Sequence, residues 1–153
     1  MPVKYNSTGG GSVTVQAPST SSTLTATLPN ASTTLAGVGV AQDYTAAQRG
    51  TAVALTSSSA SISVDASLGN NFTHTLTENT TLANPSNLVV GQSGVIVFTQ
   101  HASSPKTLAY GGYWKFPSGA TPTLTATNSA VDVLAYYVES ATRITARMVN
   151  DVK

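Results

Sequence analysis

Gly94-Val95-Ile96-Val97-Phe98 and Val131-Asp132-Val133-Leu134-Ala135-Tyr136-Tyr137-Val138 are the stretches whose reading decides the fold. The first is apolar on both faces and follows turn residues, Gly91-Gln92-Ser93. A strand with apolar side chains on both faces belongs inside a sheet, so 94–100 reads as a central strand. The second stretch is similar, with Asp132 interrupting its outer row.

Outward from these two, alternation of apolar and hydroxyl residues recurs along the chain. Further strands read at 53–56, 61–66, 72–78, 107–110, 121–127 and 143–149. Between them stand Gly69-Asn70-Asn71, Asn84-Pro85-Ser86-Asn87, Gly111-Gly112 and Pro117-Ser118-Gly119, all turn-forming combinations. Short strands at regular spacing predict an all-β fold, an antiparallel β-sandwich of jelly-roll-like form, over 53–153. Threonine suits the outward positions because it is β-branched and still carries a hydroxyl for water.

The first 36 residues predict an extended N-terminal β-arm. Val13, Val15 and Ala17 alternate with polar neighbours, as do Leu24, Ala26 and Leu28, while Gly9-Gly10-Gly11 reads as a flexible lead-in. Residues 37–52 read as a hinge, Ala36-Gly37-Val38-Gly39-Val40, followed by a short helix at 42–50 between Asp43 and Gly50. The pentapeptide Thr-Leu-Thr-Ala-Thr occurs at 23–27 and at 123–127. In so Thr-rich a chain it reads as coincidence, not as a duplicated module.

Composition narrows the function. Only 8% of the 153 residues are charged, the formal net charge is +1, and there is no cysteine. Nucleic-acid binding wants a basic face, and a membrane span wants about 20 apolar residues in a row; neither pattern occurs. The first residues lack the apolar core of a secretory signal, which predicts a protein made and used without export. Weak mutual repulsion favours association, so self-assembly is expected.

Catalytic constellations are equally sparse. His74 and His101 stand alone, with no acid or second histidine at metal-ligand spacing. His74 lies in phase with Phe72 and Leu76 and reads as a partly buried strand histidine, whereas His101 reads as a turn residue. No Gly-x-Ser-x-Gly elbow occurs. Asp65, Glu78, Asp132 and Glu139 read as strand-end carboxylates, since nothing in their spacing marks a facing pair. No catalytic, cofactor-binding or metal-binding residue is therefore assigned, no cofactor is expected, and the chain reads as non-enzymatic. Tyr110, Tyr113, Trp114 and Phe116 gather in one short stretch. They read as rings plugging one end of the core, against the alternative of an exposed platform for a sugar or a partner.

The run Asn70-Asn71-Phe72-Thr73, Thr75-Leu76, Asn79-Thr80-Thr81-Leu82-Ala83-Asn84-Pro85-Ser86-Asn87 and Gly91-Gln92-Ser93-Gly94-Val95-Ile96 carries a resemblance. It is accompanied by Gln48-Arg49-Gly50, Thr107-Leu108-Ala109-Tyr110, Tyr113-Trp114-Lys115, Gly119-Ala120-Thr121-Pro122-Thr123-Leu124 and Ala130-Val131-Asp132. In order and spacing this resembles β-sandwich modules of tail-fibre and other virion structural proteins of tailed bacteriophages. Gly11-Ser12-Val13-Thr14, Ala17-Pro18, Leu28-Pro29 and Thr34-Leu35-Ala36 are similar to the head of such fibre modules.

The resemblance implies a non-enzymatic virion part, made in the bacterial host cytoplasm and assembled as a homotrimer with other phage coat proteins of capsid or tail. One arm and one body without a long shaft favour a small capsid decoration (cement) protein or short fibre, attached through the arm. The alternative is a tail-fibre receptor-binding tip that contacts host carbohydrate through residues 113–116.

Overall fold

A computed structural model describes residues 3–6, 8–10, 12–15, 19, 21, 23 and 47–153. The chain divides into two compact units, Met1–Tyr44 and Thr45–Lys153. Among the described residues all regular elements are strands and two short 3-10 turns, so the fold is all-β.

In the first unit β1 (Val3–Asn6) and β2 (Ser12–Val15) pair antiparallel, with Asn6 opposite Ser12. Gly9 and Gly10 therefore belong to the turn of a hairpin, not to a flexible lead-in. Gly10 has φ of +84°, a left-handed conformation that glycine adopts without steric cost. The strand expected at 23–28, the hinge at 36–40 and most of the helix at 42–50 lie outside the described residues. Residues 47–50 carry no regular structure.

The second unit contains ten strands: β3 (Val53–Ala54), β4 (Ser57–Ser58), β5 (Ser61–Ile62), β6 (Asn71–Thr75), β7 (Thr80–Leu82), β8 (Ser93–Thr99), β9 (Leu108–Tyr110), β10 (Trp114–Lys115), β11 (Val131–Ser140) and β12 (Arg143–Val149). One sheet has six strands in the order β10-β12-β11-β8-β6-β3, the other four in the order β4-β5-β7-β9. As the sequence predicts, β8 is internal, flanked by β11 and β6.

The expectation of antiparallel sheets is corrected. β3–β6, β6–β8, β10–β12, β5–β7 and β7–β9 are parallel, so both sheets are mixed. From β5 to β10 the chain alternates between the sheets, one strand in each. Each turn thus sends the chain across the core instead of folding it back as a hairpin, and successive strands of one sheet run the same way.

Inward rows of both sheets meet in one core. Ile62 and Leu82 come from the smaller sheet, and Phe72, Ile96, Phe98, Leu134, Val138 and Ile144 from the larger, each at most 1% exposed. Full burial of such side chains contributes about 1.5–3 kcal/mol each. Gly94 permits the closest approach: a Cβ there would sit 1.7 Å from the Asn70 carbonyl oxygen. That oxygen accepts hydrogen bonds from the Val95 amide and the Tyr136 hydroxyl.

Two further sequence expectations change. Residues 121–127 form no strand. Their backbone is bonded to side chains instead: Thr125 N–H donates to Asp132, Thr125 C=O accepts from Gln100, and Thr123 C=O accepts from Asn150. Asp132 belongs to the inner row of β11, with Leu134, Tyr136 and Val138, not the outer one. β7 and β10, both paired parallel to a neighbour, were not legible as strands.

Candidate functional site

The carboxylates are engaged in holding the chain. Asp132 is 1% exposed, and its oxygens accept from Thr125 N–H at 2.7 Å, Thr125 Oγ1 at 2.7 Å, Asp151 N–H at 2.8 Å and Asn150 Nδ2 at 3.3 Å. Three of these bonds fall on Oδ1 and one on Oδ2, which ties residues 125, 150 and 151 to β11. Asp65 caps the turn Ala66–Leu68, accepting from Ser67 N–H, Ser67 Oγ and Asn87 Nδ2. The Asn87 bond, then those of Ser67, hold its pKa below the ordinary carboxylate value. Glu139 accepts from Thr145 Oγ1 and Arg143 Nε, and those bonds, Thr145 first, lower its pKa as well. Glu78 is half-buried.

The histidines fall where the sequence places them. His74 is 5% exposed in β6, donates from Nδ1 to Leu55 C=O at 2.9 Å, and sets its ring edge-on to Phe98. His101 follows β8 and caps a turn, its Nδ1 accepting from the amides of Ser103 and Ser104. Among the described residues, no three His, Cys, Asp or Glu side chains come together.

The aromatic stretch builds no platform. Trp114 is 5% exposed, donates from Nε1 to Ala83 C=O at 3.0 Å, and meets Tyr136 edge-on. Tyr110 packs edge-on against Phe116 with centroids 4.7 Å apart. Burial, with a smaller contribution from the Asp132 charge, raises the Tyr110 phenol pKa well above its ordinary value. Residues 113–116 are thus held as part of the core wall, by Asn84 Oδ1 on Tyr113 N–H as well as by Trp114.

Scans against protein-family models, curated proteins and solved structures find no match to this chain.

Three bridging amides, Gln100 buried, Gln92 half-buried and Asn79 exposed, were missed by sequence reasoning. Gln100 bonds through Nε2 to Lys106 C=O and Thr125 C=O, and through Oε1 to the amides of His101 and Lys106. Gln92 donates to Ala66 C=O, Gly69 C=O and Asn70 Oδ1. Asn79 Oδ1 accepts from Thr107 N–H. A lone amide at a strand end carries no pattern that distinguishes a staple from a surface residue.

A concavity of about 640 Å³ opens where residues 48–51 pass the starts of β6 and β8. Arg49, Leu68, Asn70, Asn71 and Ser93 line it. Among the described residues no carboxylate pairs with Arg49. Its volume suits a small ligand, and its donors are amides, hydroxyls and one guanidinium.

Proposed function

We propose that this chain is a non-enzymatic structural protein of a bacteriophage virion: a β-sandwich, jelly-roll-like in its stacked sheets, assembled as a homotrimer. It serves as a small capsid decoration or short-fibre subunit attached through its N-terminal arm. One observation carries the reading. The words of sequence that resemble phage modules are those that hold turns and core in place: Asn79 on Thr107, Asn84 on Tyr113, Gln92 on 66–70, Trp114 on Ala83, Asp132 on 125 and 151. A resemblance concentrated in staples is one of scaffold, as expected of a module reused for shape.

The hairpin β1–β2 supports the arm. Among the described residues it is a two-stranded sheet, and such sheets are marginal in water until a further strand or layer is added. Addition to the sheet of a neighbouring coat protein supplies that layer. Cryo-EM of intact virions tests the reading by locating the density of this chain. Deletion of residues 1–36 should leave the body folded and abolish incorporation; a truncated body that still incorporates removes the arm from attachment.

The receptor-tip reading has one observation in its favour, and it is the Arg49 concavity, not the aromatic stretch. Glycan-array binding that is lost in both Arg49→Ala and Asn71→Ala would support it. No binding by the wild type would end it.

A further inference from the structure

We draw no further inference here: the strongest candidate, the concavity that Arg49, Asn70, Asn71 and Ser93 line at the starts of β6 and β8, carries nothing beyond the receptor-tip reading above, because nothing among the described residues shows what covers it.

Discussion

Asp132→Ala should be among the most damaging single changes in the body. The wild-type carboxylate is 1% exposed and accepts four hydrogen bonds from Thr125, Asn150 and Asp151. Truncation leaves the backbone amides of Thr125 and Asp151 without acceptors, while the Thr125 hydroxyl and Asn150 amide can turn elsewhere. Each orphaned part-buried donor costs about 1–3 kcal/mol. Relief of the carboxylate's own desolvation offsets part of this, but the donors stay in place. A net loss of about 3 kcal/mol follows, a large share of the 5–15 kcal/mol typical of a domain.

Urea denaturation would read that loss as a lower midpoint with an unchanged slope. Amide exchange at Thr125 should accelerate, and the Tyr110 phenol should titrate lower than in the wild type, since the Asp132 charge helps hold it up. Asp132→Asn keeps the volume and one acceptor but turns an NH2 toward a donor, so it should fall between wild type and Ala. A stability within about 1 kcal/mol of wild type, with Thr125 exchange unchanged, would refute the clamp.

Three further outcomes are expected. Ser59 and Ala60 form the two-residue turn between β4 and β5 with φ of +53° and +57°, a left-handed conformation that costs a side-chain-bearing residue about 1 kcal/mol. Ala60→Gly should therefore raise the melting temperature by about 4 °C, and a lower one would contradict the turn geometry. Gly94→Ala should abolish cooperative thermal unfolding, because its Cβ would be driven to 1.7 Å from the Asn70 carbonyl oxygen; a wild-type melt would show the approach is wrong. Tyr110 and Tyr136 both have phenol pKa values raised above 10 by burial. Their neutral forms are the ones the fold accepts, so their contribution to stability is intact below pH 10 and lost as pH rises through the higher folded values. Absorbance titration at alkaline pH should show both ionising late, together with unfolding; early ionisation of all six tyrosines in a folded protein would refute it.

The strands were legible because alternation reports which residues share a face, and in β6, β8, β11 and β12 one face is buried. Direction was not legible. A turn such as Asn84-Pro85-Ser86-Asn87 bends the chain equally well into a hairpin or across to the facing sheet, and here it crosses from β7 to β8. Alternation also misled at 121–127, where Leu124 and its neighbours have strand periodicity but the backbone bonds go to Gln100, Asp132 and Asn150. Side chains far away in sequence had already claimed those groups. For the candidate site, His74 was read from its phase with Phe72 and Leu76, His101 from its place after a strand, and Trp114 from the tendency of such rings to bury their bodies. The Arg49 concavity was not, because it is assembled from three separated segments.

The scarcity of charge follows from how the polar groups are used. A chain that crosses between sheets at each turn must bury or half-bury the backbone of those turns, and their amides and carbonyls need partners. Gln92, Gln100 and Asp132 supply them from buried or half-buried positions, and Asn79 and Asn84 from exposed ones. Neutral amides suit that position better than ionised groups, whose desolvation costs several kcal/mol each. Asp132 is the exception, and it is surrounded by four donors.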